Sequence, residues 1–308
     1  MFGVWCLEFG ACLELGAWSL VIQYMQIIKQ VSQMAAQAQG MRRGSRRIGF
    51  VPTMGALHEG HASLMRAARR ETDFVVASIF VNPLQFGPTE DYKRYPRTLS
   101  EDLEICRGEG VDVVLTPSAE EMYPKNFSSV VEVRAFSEVW EGKARPGHFR
   151  GVTTVVAKLL HLVQPTTLYL GQKDYQQALL LQRMIQELGW TLTVRVMPTV
   201  REPDGLAVSS RNRALSAAQR RQAPMIIQAL RLARERIEGG ARAVGPLVAL
   251  MQRTIREATL ARVDYVAVVE ASTLKPLATL TRGRRVALLA AARFGSTRLI
   301  DNALVDVP

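Results

Sequence analysis

The chain has 308 residues, 48% of them hydrophobic, and a formal net charge of +11 that comes mostly from arginine. That is apolar material for one large or two ordinary domains, and no stretch between residues 30 and 308 is long and apolar enough to span a membrane. The three cysteines, Cys6, Cys12 and Cys106, are odd in number and lack a Cys-x-x-Cys spacing, which favours free thiols in a reducing compartment. The basic clusters Arg42-Arg43-Gly44-Ser45-Arg46-Arg47 and Arg282-Gly283-Arg284-Arg285 carry no interleaved aromatics on which bases would stack, so the charge suits anionic small substrates better than nucleic acid.

Residues 1–24 are apolar but broken by Glu8 and Glu14, with no basic residue. A secretory signal starts with positive charge and a membrane-surface helix carries it on its polar face, so this segment reads as an upstream extension outside the fold. Met25 is a natural start, because residues 25–38 read as an amphipathic helix leading into a strand. Strands are expected at 48–52, 74–81, 111–115, 130–133, 167–170 and 191–197, and helices at 62–71, 98–110, 151–163 and 175–188. This alternation implies a parallel sheet with helices on both faces, and right-handed crossovers then bring the strand ends to one edge. After about Met197 the character changes: a turn at Arg201-Glu202-Pro203-Asp204-Gly205, long helices over 216–238 and 243–258, and strands at 264–269, 285–290 and 298–301. The organisation is an α/β domain over 25–199 and a smaller α+β domain over 200–308.

The most informative stretch is Pro52 to His61, which joins the carboxyl end of one strand to the amino end of a helix. Ligands bind there in open α/β sheets, and a helix amino end attracts phosphate. His58 and His61 can add donors to the same anion. The same pair can also be half of a zinc site, but zinc needs a third and usually a fourth ligand, and the only other histidines are His148 and His161. Two further strand ends carry polar groups, at Asn82-Pro83-Leu84-Gln85 and at Gly171-Gln172-Lys173-Asp174. Lys173 sits beside a helix amino end, where a lysine can meet a phosphate. The P-loop, the dinucleotide-binding Gly-x-Gly-x-x-Gly and the Gly-x-Ser-x-Gly elbow are absent. What remains is a histidine-lined phosphate site, a helper lysine, and Ser209-Ser210-Arg211 from the second domain.

These residues resemble the pantothenate synthetases (pantoate–β-alanine ligases), a family within the HxGH nucleotidyltransferases. The likeness runs from about Met25 to Val305 and rests on PTMGALHEGH at 52–61, SIFVNPLQFG at 78–87, DYKRYPRT at 91–98, RPGHFRGV at 145–152, GQKDYQQ at 171–177 and DGLAVSSRN at 204–212. It implies a Rossmann-like amino-terminal domain with the carboxyl-terminal domain as a lid, a cytoplasmic homodimer, and a need for Mg²⁺ with no ligand assigned. It also implies a two-step reaction: ATP and (R)-pantoate give pantoyl adenylate and pyrophosphate, and β-alanine then displaces AMP to give pantothenate. By position, ATP would contact Met54, Gly55, Ala56, Leu57, His58, Glu59, Gly60 and His61. Gly171, Gln172, Lys173, Asp174, Val200, Val208, Ser209, Ser210 and Arg211 would complete the nucleotide site. His61, as the usual proton donor, would act with His58, Lys173 and Arg211. Gln85 and Gln177 would bind pantoate, Gln85 would also lie near β-alanine, and Asn82 and Tyr95 would belong to the same pocket. Residues 88–94 would form a mobile loop over it. Many members carry Glu where this chain has Gln172, and Met or Leu where it has Val208.

Overall fold

The computed structural model describes residues 25–87 and 92–308, so the expected upstream extension and positions 88–91 of the expected mobile loop lie outside the described residues. The first unit is built on β1 (Gln26–Ile28), β2 (Ile48–Thr53), β3 (Phe74–Ile79), β4 (Val113–Leu115), β5 (Thr167–Gly171) and β6 (Thr193–Met197). All pair in parallel, in the order β1-β4-β3-β2-β5-β6. The crossovers carry α1 (Val31–Arg43), α2 (Glu59–Glu71), α3 (Leu99–Gly108), three one-turn helices, α4 (Ala119–Met122), α5 (Arg134–Ser137) and α6 (Glu141–Ala144), then α7 (His148–Val163) and α8 (Tyr175–Glu187).

Period-two alternation divides the strands between two cores. Phe50, Val76, Val113, Leu115, Leu168 and Leu170 pack with α1, α7 and α8. Val51, Val75, Ala77, Val114 and Tyr169 pack on the opposite face with Leu64, Met65, Ala68 and Cys106 of α2 and α3. From β2 the chain winds outward through β3 and β4, then returns to place β5 on the other side of β2. The carboxyl ends of β2 and β5 therefore flank the switch point, where such sheets open a crevice for ligands.

The second unit contains α9 (Ala217–Gln222), α10 (Met225–Glu238) and α11 (Val244–Glu257), with an antiparallel meander of β7 (Ala261–Glu270), β8 (Arg285–Phe294) and β9 (Thr297–Asp306). Along β8, Val286, Leu288 and Ala290 face α10 and α11. The alternate residues Ala287 and Leu289 join the core of the first unit. One side of the small sheet thus closes its own core while the other side is shared.

Several expectations change. The chain from Met25 does not enter a helix directly: Gln26–Ile28 pairs with β4 as an edge strand, and α1 begins only at Val31. Residues 130–133 form no strand, because the hydroxyls of Thr153 and Thr154 on α7 satisfy the Val131 backbone groups. The helix expected over 216–238 is two helices that break at Ala223-Pro224, since proline has no N–H to continue the ladder. Helix α7 starts at His148, three residues earlier than expected, and α2 starts at Glu59, which puts His61 inside its first turn.

Candidate active site

At the switch point, β2 ends and the chain turns through Gly55 (φ +81°) and Ala56 (φ +50°) before α2 begins. The left-handed conformation at Gly55 is one that glycine adopts without a Cβ penalty, and an added Cβ would also meet the Asp102 carboxylate at 2.8 Å. Asp102, buried in the first turn of α3, accepts the N–H groups of Ala56 at 3.0 Å and Leu57 at 2.7 Å. Those amides are thereby consumed in holding the loop.

The two histidines close the amino end of α2 against each other. The Gly60 N–H donates to His58 Nδ1 (3.1 Å), and the His58 N–H donates to His61 Nδ1 (3.3 Å). A ring nitrogen that accepts carries no proton, so each neutral ring bears its hydrogen on Nε2. The rings lie 4.1 Å apart between centroids. Burial, with Lys173 nearby, lowers the His58 pKa to about 4. Burial, with His58 beside it, lowers that of His61 to about 3. At neutral pH the pair offers two neutral Nε2–H donors to the cavity that both residues line.

That cavity has a volume of about 240 Å³. Its walls include Met54, His58, Gly60 and His61 from the β2 end, Asn82 and Gln85 beyond β3, and Gly171, Lys173 and Asp174 beyond β5. Gln177 on α8 completes that side, and Val200, Val208, Ser209, Ser210 and Arg211 come from the entry to the second unit. Four sequence segments, spread from Met54 to Arg211, thus meet in one place. Gly55, Ala56, Leu57, Glu59 and Gln172 are not among the lining residues. The first three are turned toward Asp102, Glu59 pairs with Arg66 at the surface (2.6 Å), and the Gln172 side chain donates to Asn302 (3.2 Å).

Asp174 is enclosed by protein but keeps 48% of its side-chain surface open to the cavity. Burial pushes its carboxyl up, yet Lys173, 3.6 Å away, and Arg211 outweigh that and hold it below the usual range. The Gln85 amide is oriented at both ends. Its oxygen accepts from Asn82 Nδ2 (3.0 Å) and its nitrogen donates to Met54 Sδ (3.0 Å), while Tyr123 donates to Asn82 Oδ1 (2.7 Å). One amide hydrogen of Gln85 remains for a ligand.

Two lining residues were not singled out in the sequence. The Arg145 guanidinium donates to His148 Nε2 (2.8 Å), which leaves His148 Nδ1–H to donate to the Gln85 carbonyl (2.9 Å). The pair carries charge from the start of α7 to the mouth of the cavity. Only the quoted RPGH run marked it, and placing the helix start at Gly151 hid its position. A second cavity, about 620 Å³, shares the Arg145, His148, Lys173, Asp174, Gln177 and Arg211 wall and extends under β8 and β9. Among the described residues no cluster of three or more His, Cys, Asp or Glu side chains is placed to hold a metal.

The family model for pantoate–β-alanine ligase matches residues 26–304. The chain belongs to the pantoate–β-alanine ligase family. It is 48% identical over 283 residues to the pantothenate synthetase of Moorella thermoacetica, which spans 92% of this chain and 99% of that relative. It is 52% identical over 260 residues to that of Chloroflexus aurantiacus, covering 84% of this chain and 92% of the relative. Among solved structures, pantothenate synthetase from Thermus thermophilus superposes with a TM-score of 0.85 at 46% identity, over 91% of this chain and 99% of the other. The pantoate–β-alanine ligase of Francisella tularensis, solved in complex with β,γ ATP and β-alanine, gives a TM-score of 0.75 at 36% identity over 91% of this chain and 98% of the other. Among the described residues no helix is long and apolar enough to cross a membrane.

Proposed function

We infer that this chain joins pantoate and β-alanine into pantothenate, with ATP as the activating substrate. The observation that carries the reading is the convergence on one cavity of two neutral imidazole donors, Lys173, the Ser209-Ser210-Arg211 loop and the oriented Gln85 amide. A carboxylate is a poor electrophile. In the first step a pantoate carboxylate oxygen bonds to the α-phosphorus of ATP, and the bond to the bridging oxygen breaks to release pyrophosphate. In the second, the β-alanine nitrogen bonds to the acyl carbon, the carbon–oxygen bond to AMP breaks, and the amine gives up a proton.

The protein's part in the first step is alignment and stabilisation of charge on phosphate oxygens. His58 and His61 supply Nε2–H groups, Lys173 and Arg211 supply positive charge, and Ser209 and Ser210 supply hydroxyls. Met54, Gly60, Gly171, Val200 and Val208 enclose the nucleotide, while Gln85 and Gln177 bind the pantoate oxygens and Gln85 lies beside β-alanine. Gly55, Ala56, Leu57, Glu59 and Gln172 belong to the nucleotide site through the loops they shape. Magnesium commonly takes one or two carboxylates together with substrate phosphates. Asp174, the single carboxylate among the described residues lining the smaller cavity, fits that part, and the ion would supply charge neutralisation on the triphosphate. Residues 25–199 act as the substrate-binding base and 200–308 as a lid. A cytoplasmic homodimer is the working state, as in the family the sequence resembles.

The deciding experiment measures AMP formation from ATP, Mg²⁺ and pantoate with and without β-alanine, beside a His61→Ala variant. AMP release that needs both substrates, and falls about 10²–10³-fold in the variant, is expected. ATP binding without pantoate-dependent AMP would remove pantoate as the acid acceptor.

A further inference from the structure

Resting on the reading of Lys173 and Arg211 as phosphate-binding groups, we propose that Asp301 and Asn302, consecutive buried residues on β9, are positioning residues that hold the two loops bearing those cations in one frame. Neither residue contacts the smaller cavity, and both border the larger one. Successive side chains leave a strand on opposite faces, so two adjacent positions reach two different loops.

Asn302 serves the loop after β5. Its Nδ2 donates to the carbonyls of Gln172 (2.9 Å) and Lys173 (3.0 Å), and its Oδ1 accepts from the Gln172 amide (3.2 Å). Every hydrogen-bonding group of the Asn302 amide is thus directed at this loop, across 129 or 130 positions of sequence. Asp301 serves the other loop. Its carboxylate takes both ends of the Arg201 guanidinium at 2.7 and 3.1 Å, and the Asn302 N–H donates to the same carboxylate at 2.8 Å. Arg201 forms the base of the hairpin that delivers Ser209 to Arg211. It bridges Ala207 across the hairpin and donates to the Gly205 carbonyl (3.0 Å). The Asn302 N–H links the two halves, so the lysine loop and the Ser-Ser-Arg loop are tied to neighbouring residues of a single strand.

Buried charge-assisted and fully paired contacts of this kind fix geometry more sharply than apolar packing does. Two cations that must address one triphosphate gain from a shared reference, because small displacements of reacting groups are costly. The same contacts give position 172 a role: a glutamine donates to Asn302 Oδ1, which a carboxylate in its place cannot do.

The test uses Asn302→Asp, which keeps size but removes both donors to the loop carbonyls, measured in the otherwise intact enzyme and in a Lys173→Ala background. The readout is pantoate-dependent exchange of pyrophosphate into ATP, with pantoate affinity followed separately. In the intact enzyme kcat/KM for ATP should fall by about 10- to 100-fold with pantoate affinity little changed. In the Lys173→Ala background the same substitution should add little, because its effect acts through the lysine. Equal losses in both backgrounds, or full activity in folded Asn302→Asp, would overturn the proposal. Full activity in Lys173→Ala alone would instead sink the reading of Lys173, and the proposal with it. If Asn302→Asp does not fold, Asn302→Ala leaves the carbonyls to water and is read against the same two backgrounds.

Discussion

His58 and His61 each do two things with one ring: Nδ1 caps the helix, and the ring lines the cavity with Nε2–H left to donate. That division holds only while the rings are neutral, because a protonated Nδ1 cannot accept the Gly60 or His58 N–H. The depressed values, about 4 for His58 and about 3 for His61, follow mainly from burial and partly from nearby positive charge. The consequence for stability has a definite sign. Unfolded histidines titrate near 6.5, so between that pH and the folded values the unfolded chain binds more protons, and stability falls as pH drops. We expect an acid limb in chemical denaturation that starts below pH ~6.5 and deepens by on the order of 1.4 kcal/mol per pH unit for each ring until its folded value is reached. His61→Asn keeps a side-chain acceptor without a titrating group and should flatten that limb. An unchanged limb in the variant would mean that other groups cause it.

At the scale of elements, the side of the cavity that carries Gln85 depends on how closely α7 approaches the turn after β3. Gly151 packs directly on the peptide between Leu84 and Gln85, and a Cβ there would lie 2.3 Å from the Leu84 carbonyl oxygen and 2.5 Å from the Gln85 nitrogen. These are backbone atoms that cannot swing away. Gly151→Ala should therefore push the turn off the helix, lower stability by about 1–3 kcal/mol and raise the pantoate KM while leaving ATP binding nearly intact. Denaturation and separate substrate titrations check it, and a variant with normal pantoate KM would show that the turn is not held by this contact. The contact also marks where sequence reading stops. Strands β2 to β5 and helices α2, α3, α7 and α8 were legible because each has a strong local period and polar loops at its ends. β1 was not, since its three residues bury only Ile28 and its partner is β4, far along the chain. Asp102, which secures the histidine loop from 45 and 46 positions away, and Asn302, which secures the lysine loop, carry no local signature at all. The sequence marks the groups expected to do chemistry, but the groups that hold them are set by packing between distant segments.

At the scale of the molecule, the two units meet through more than the shared apolar face of β8. Glu141 on α6 accepts from Arg298 of β9 at 2.6 and 2.8 Å and from the Tyr265 hydroxyl at 2.7 Å, and Arg298 also reaches Asp264 at 2.7 Å. Burial pushes the Glu141 carboxyl up, but its bonds from Arg298 prevail and hold it below its ordinary value. The network stands at the far wall of the larger cavity, and Arg145 caps the carboxyl end of α6, so the element that leads to this cation is the one pinned to the second unit. The second unit is thereby fastened to the first at Glu141 and Arg298. Removing one member of a buried ion pair leaves the other uncompensated, which typically costs 3–5 kcal/mol, whereas removing both charges is far less harmful. Arg298→Met should therefore destabilise by about 3–5 kcal/mol, and adding Glu141→Gln should restore part of that loss. Because the interface is also where the two cores fuse, Arg298→Met should split a single unfolding transition into two, resolved by following Trp190 of the first unit against hydrogen exchange in β8. A single transition in the variant would show that the shared apolar face of β8 alone couples the units.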